Sequence, residues 1–155
     1  AIGSIIGGLA LGGVPISPWA LATRMAAVFV GIALAGIFLD FWWIAGALLI
    51  AGAGIAPALA VMFAIVSASV KFSDTAEAYG WMGSGQLIGA ALGSAIAGFA
   101  IDGFGSVGGF IAASIFALVG FLVATIFRSA HPDLRGRDAA PIPDTEPVTT
   151  LNIQP

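Results

Sequence analysis

The chain has 155 residues, of which 59% are hydrophobic and only 8% are charged. A soluble domain of this length needs a charged surface that so few ionisable groups cannot supply, so the composition indicates an integral membrane protein. The absence of cysteine excludes disulfides and thiolate metal sites, and a single histidine argues against a histidine metal cluster or a catalytic triad. The net charge of −3 gives no reason to expect a nucleic-acid partner.

The first segment, 1–13, is apolar but too short to cross a bilayer. It starts without methionine and without the basic region of a signal peptide, so we interpret it as the last part of a membrane helix whose beginning is missing. A short interfacial segment is the alternative. Pro15 and Pro18 then predict a turn, because each proline removes a backbone donor and restricts the residue before it.

Two full spans are predicted next, at 20–39 and 43–68. Arg24 lies near the start of the first of them, where its long side chain is expected to reach the headgroup region. Asp40 ends this span, and the aromatic residues that follow suit a membrane surface. Pro57 lies in the middle of the next span and predicts a kink, which is either a functional bend or a packing adjustment.

A charged connector, 71–77, precedes the third full span. Ser73 or Asp74 is expected to cap the helix that begins there, with Glu77 at the complementary position of a capping box.

The third full span, 78–101, has a face of small residues. Gly85, Gly89 and Gly93 recur every fourth residue, and such a face lets two helix backbones approach closely in lipid. We therefore predict that these glycines pack against another helix and take part in gating.

A tight turn at 102–106 and a fourth full span at 107–127 complete the membrane region. The segment 129–155 is polar and rich in proline, so we predict a membrane bundle over 1–128 and a disordered tail after it. The predicted spans place every basic residue of the chain on one side, which the positive-inside rule assigns to the cytoplasm together with the tail. These basic residues are Arg24, Lys71, Arg128, Arg135 and Arg137.

Two segments, 2–13 and 92–103, resemble each other in sequence. The predicted spans run them through the bilayer in opposite directions, which is the pattern of an inverted repeat in a secondary transporter. Glycine and alanine are so common in this chain that chance alone supplies some of the matches.

The chain resembles the C-terminal half of a major facilitator superfamily transporter, from the end of the eighth helix through the twelfth. The resemblance covers about residues 1–127 and depends on the glycine series 85–93 and on Gly98, Asp102 and Gly105, which are similar to the family's G-xxx-D-xx-G helix-pair turn. One departure is Gly12, which stands where the family's loop motif has aspartate. The resemblance implies that the N-terminal half of the transporter is missing from this chain.

Gln86 is the only strongly polar side chain well inside a span. It either hydrogen-bonds a substrate in the transport pathway or forms an interhelical bond that stabilises the bundle. No span carries a central charged residue, so no coupling carboxylate is visible. No nucleophile–base pair or metal cluster is found either, so we expect neither an enzyme nor a cofactor.

The sequence therefore predicts an all-α, polytopic transmembrane bundle with four full spans and the end of a fifth. The predicted function is movement of an unknown small solute by alternating access, in the inner membrane of a bacterium, with the lipid bilayer and the other transporter half as partners. The resemblance suggests efflux and leaves uptake open. The alternative is a membrane scaffold or accessory subunit that moves nothing.

Overall fold

The computed structural model describes residues 2–11, 13–136 and 139–144. Its helices are α1 (Ile2–Leu11), α2 (Ala20–Ala35), α3 (Phe41–Ser69) and α4 (Thr75–Ile126), with short 3-10 turns at Phe72–Asp74 and Phe127–Ala130. Over the described ranges there is no strand, only an isolated bridge between Lys71 and Ile142. The predicted all-helical fold is confirmed.

Helix α4 is divided at Gly105, where φ is +67° and ψ is −162°. A glycine is required there because a side chain disfavours positive φ. The chain then folds back, so that the backbone at Gly108 lies directly against the Ala100 carbonyl. We call 75–104 the first arm and 106–126 the second arm of this hairpin. The reversal lies within the turn predicted at 102–106.

The predicted four full spans are not confirmed. By length and composition, only α3 and the stretch Phe72–Ala130 qualify as membrane spans in the described chain. The clearest difference lies at 20–39, because α2 ends at Ala35. The Asp40 carboxylate accepts hydrogen bonds from the backbone N–H groups of Trp42 (3.0 Å) and Trp43 (3.2 Å). This cap starts α3 at Phe41.

The helices of the bundle pack through small residues. The backbone of Gly31 in α2 lies against Ala47 and Ala51 of α3, and a Cβ atom on Gly54 would lie 2.7 Å from the Arg24 carbonyl oxygen. Val61 is the only large side chain that is less than 2% exposed within the described residues. Large apolar side chains instead point outward along most of the chain, as contact with lipid requires.

Packing contacts also give the helix directions. Helix α1 runs parallel to α3, because Gly3 faces Leu49 and Gly7 faces Ala53 further along α3. The second arm runs antiparallel to α2, since Gly36 lies beside Phe110 and Met25 lies near the later Gly120. Helices α2 and α3 are antiparallel, because Gly31 lies against Ala51 and the later Gly54 lies against the earlier Arg24. The second arm is therefore parallel to α3 and α1, and the first arm runs opposite to α1. The described parts of 2–13 and 92–103 have the opposite directions that the inverted-repeat interpretation needs.

Described residues after the second arm contact the bundle, while the disordered tail at 129–155 stays a prediction. The guanidinium of Arg128 lies 4.3 Å from the ring centroid of Trp19. Leu134 is only 7% exposed, and its N–H donates to the carbonyl oxygen of Ile16 at 3.0 Å. Beside it, a hydrogen bond from the exposed Arg135 to a neighbouring carboxylate raises the pKa of Arg135.

A second contact lies further along the same segment. The N–H of Phe72 donates to the Ile142 carbonyl at 3.0 Å, and the N–H of Ile142 donates to the Val70 carbonyl at 2.9 Å. These bonds pair backbone groups that the end of α3 would otherwise leave unsatisfied. The amino-acid composition does not predict these backbone contacts, because the segment is polar overall. Residues 137–138 and 145–155 of the predicted tail, and Gly12, lie outside the described residues.

The predicted capping box is also corrected. Asp74 precedes α4 but its side chain makes no capping hydrogen bond. Instead, the hydroxyl of Ser73 lies 3.0 Å from carboxylate oxygens of both Asp74 and Asp144. Glu77 accepts a hydrogen bond from the indole N–H of Trp81 at 3.3 Å.

Candidate functional site

The first arm of α4 carries the strongest candidate, Gln86. No residue of this arm is buried, and Gln86 itself is exposed. Within the described chain its side chain makes no hydrogen bond, so the interhelical bond considered from the sequence is not formed here. The amide therefore remains available to a group that the described residues do not supply.

The glycine face lies beside Gln86. Within the described chain, no atom lies within 4 Å of a Cβ placed on Gly85, Gly89 or Gly93. Gly89 and Gly93 follow Gln86 by three and seven residues, so they share its side of the helix. Close packing of these glycines against another helix therefore remains a prediction.

An apolar cavity of about 410 Å³ separates this face from its neighbours. It lies between the first arm, the second arm and α2, and its wall is formed by Met25, Val28, Ile32, Gly89, Gly93, Ala97, Ala113, Phe116 and Ala117. Because Gln86 lies on the same side of the first arm, a polar amide is placed close to an apolar space. Small-molecule sites commonly combine these two features.

Pro57 is buried in α3, which continues as one helix from Phe41 to Ser69. Proline has no N–H, so the carbonyl of Ala53 loses its usual partner within the helix. The backbone of Gly7 in α1 lies directly against that carbonyl. The missing side chain of Gly7 thus allows α1 to cover the backbone that Pro57 leaves unsatisfied.

The predicted turn motif lies at the opposite end of the first arm from Gln86. Gly105 forms the reversal. Asp102 is exposed, and a Cβ on Gly98 would meet nothing within 4 Å in the described chain. The three residues therefore lie together near the turn, but only Gly105 has a conformation that requires its residue type.

Arg24 is the residue that sequence reasoning missed. It was expected to reach the headgroups, but the structure buries it to 7% exposure. One terminal nitrogen (Nη1) donates to the Ala20 carbonyl at 2.8 Å, while the buried Nε has no hydrogen-bond partner. The expectation was wrong because the Arg24 side chain lies among residues of α1 and α3. No sequence signal distinguishes this orientation from a lipid-facing one.

The described residues contain no group of three or more histidine, cysteine, aspartate or glutamate side chains that could hold a metal ion. The arrangement is thus an apolar space flanked by one amide, with a separate buried guanidinium.

Comparison with protein families gives one match, which covers residues 1–153 and is described as the Major Facilitator Superfamily. Comparison with curated proteins and with solved structures gives no significant match. The matched range includes the helices described above and the turn at Gly105. The chain therefore belongs to the Major Facilitator Superfamily.

Proposed function

We propose that this chain is the C-terminal part of a secondary transporter that moves a small solute by alternating access. The family match over residues 1–153 carries this proposal, because proteins of the superfamily are integral membrane transporters. In such transporters two bundles rock against each other around a site near the middle of the bilayer. Family membership also favours transport over the scaffold alternative.

The exposed first arm supports this function. An entire helix without a buried residue offers a surface on which the other half of the transporter can pack. The glycine face lies on the side of the first arm that borders the cavity toward α2 and the second arm. We propose that Gly85, Gly89 and Gly93 let the first arm shift against these two helices during gating, and that the amide of Gln86 hydrogen-bonds the solute or the water around it.

The distribution of charge supports an orientation. Arg128 contacts Trp19 just before α2, while Lys71 lies on the connector that pairs with Ile142. We propose that this basic end faces the cytoplasm of a bacterium. The family resemblance suggests efflux as the direction of transport, with uptake as the alternative.

The experiment compares Gln86→Leu with the wild type in the full-length protein. Proteoliposomes are tested for movement of ethidium and of radiolabelled amino acids and sugars, and melting temperature is measured on the same preparation. We expect wild-type flux above that of protein-free liposomes, and at least a tenfold loss in Gln86→Leu with an unchanged melting temperature. Leu87→Ala is the control, because Leu87 is 74% exposed on a neighbouring face.

Two results contradict the proposal. Normal flux with a lowered melting temperature would make Gln86 a structural residue. Absence of wild-type flux for every solute class tested would favour the scaffold.

A further inference from the structure

We propose that Arg24 forms a binding site for an oxyanion, a carboxylate or a phosphate, at the junction of α1, α2 and α3. This site is separate from Gln86 and does not depend on the proposed transport function.

The Arg24 side chain is buried, and its hydrogen bonding is incomplete. It is 7% exposed, and its Nε is buried without a hydrogen-bond partner. The neutral carbonyl of Ala20 accepts from Nη1 at 2.8 Å, which satisfies one N–H but does not balance the charge. Arginine keeps its proton in proteins, so burial cannot be relieved by neutralising the group.

Within the described residues, no carboxylate forms an ion pair with Arg24. Helices α1, α2 and α3 contain no aspartate or glutamate. Asp40 caps the far end of α3, and Asp133 pairs with Arg135 at 2.7 Å. Burial of a charge is costly unless the charge is paired. Arg24 has no ion-pair partner within the described residues, and a bound anion would supply one.

Two spaces border the Arg24 side chain. The larger, of about 440 Å³, is also lined by Leu11, Val14, Thr23, Ala27, Ile50, Ala53 and Gly54. The smaller, of about 110 Å³, is also lined by Pro57 and Val61. Both exceed the roughly 10–15 Å³ that one water needs. A water can accept from Nε, but it does not neutralise the guanidinium.

The residues that line the larger cavity limit the chemical class of ligand that it can bind. A guanidinium offers parallel N–H groups that match two oxygens of a carboxylate or phosphate. Most of the remaining wall is aliphatic, which suits an anion that carries an apolar body. The headgroup phosphate of a lipid and a free oxyanion both have this chemistry, and the experiment separates them.

The test uses the full-length protein in dodecyl maltoside after removal of bound lipid. One arm adds inorganic phosphate against chloride at constant ionic strength, and the other adds phosphatidylglycerol to the micelles. Melting temperature is the readout. At a hundredfold excess over Kd, binding is expected to raise it by roughly 3–4 °C in a transporter of about twice this chain's length or more. Arg24→Gln should lose this shift. Arg24→Lys should keep only part of it, because lysine lacks the parallel N–H groups of the guanidinium.

Arg135→Gln is the matched control, since it removes one exposed guanidinium charge at the same end of the bundle. It should keep the full shift. A shift with phosphate identifies a free oxyanion, and a shift only with phosphatidylglycerol identifies a lipid headgroup. If Arg24→Gln does not fold, equilibrium dialysis of radiolabelled phosphate and retention of phosphatidylglycerol by the wild type decide the question. No shift and no binding in either arm, or a shift that survives Arg24→Gln, would overturn the proposal.

Discussion

Replacement of Gly31 by alanine tests how α2 packs against α3. A Cβ on Gly31 would lie 2.7 Å from the Cα of Ala51 and 2.8 Å from the carbonyl oxygen of Ala47. Carbon atoms in contact are ordinarily about 3.5–4.0 Å apart, so the two helices have to separate by about 1 Å. Overpacking of this kind costs about 1–3 kcal/mol.

Gly46→Ala is the control, because a Cβ on Gly46 in α3 meets no described atom within 4 Å. Both changes gain about 1 kcal/mol of helix propensity, and this gain cancels in the comparison. We therefore expect Gly31→Ala to unfold with a free energy about 1–3 kcal/mol below that of Gly46→Ala, measured by denaturant titration in detergent. Equal stability of the two variants would refute the close α2–α3 contact.

Three further changes test other parts of the fold. Gly105→Ala should destabilise the hairpin by about 1–3 kcal/mol because its φ and ψ lie in a region that is essentially confined to glycine, whereas Gly103→Ala should not; equal melting temperatures would contradict this. Leu134→Ala should cost about 2 kcal/mol and speed tryptic cleavage after residue 135; unchanged cleavage would mean that the segment is not packed. An impermeant thiol reagent should label Ser106→Cys in intact cells and Ser73→Cys only after lysis, and the reverse pattern would overturn the orientation.

The sequence predicts a helix boundary well where residues at the boundary itself determine it. The Asp102–Ser106 turn is the best case, because closely spaced glycines after an apolar run favour a reversal, and Gly105 provides it. The end of α2 was placed four residues too late, at 39 instead of 35. Residues 36–39 are as hydrophobic as the helix before them, so hydropathy cannot show where hydrogen bonding stops.

The choice of packing glycines could not be predicted in the same way. Gly85, Gly89 and Gly93 form the densest series, yet the close contacts within the described chain occur at Gly7, Gly31 and other glycines. Small residues at four-residue spacing exist on α1, α2 and the first arm alike. Which series is used depends on which helices are neighbours, and that is a property of the tertiary fold.

Burial of Arg24 is a tertiary effect too. The sequence places it four residues into α2, a position from which a long side chain ordinarily reaches the interface. In the structure α1 and α3 enclose it instead. The direction of one side chain around the helix axis decides between these outcomes, and a single arginine carries no periodic signal that specifies it.

The central claim is that the first arm lines a pathway that opens alternately to the two sides of the membrane. Because the chain has no cysteine, Gln86→Cys in the full-length protein reports access directly if any other cysteines are removed. Its rate of reaction with an impermeant methanethiosulfonate is measured in inside-out and in right-side-out vesicles, with Leu87→Cys on the neighbouring exposed face as the matched control. We predict reaction from both sides, at least ten times faster than for Leu87→Cys. Reaction from neither side, or at the rate of the control, would contradict alternating access at this helix.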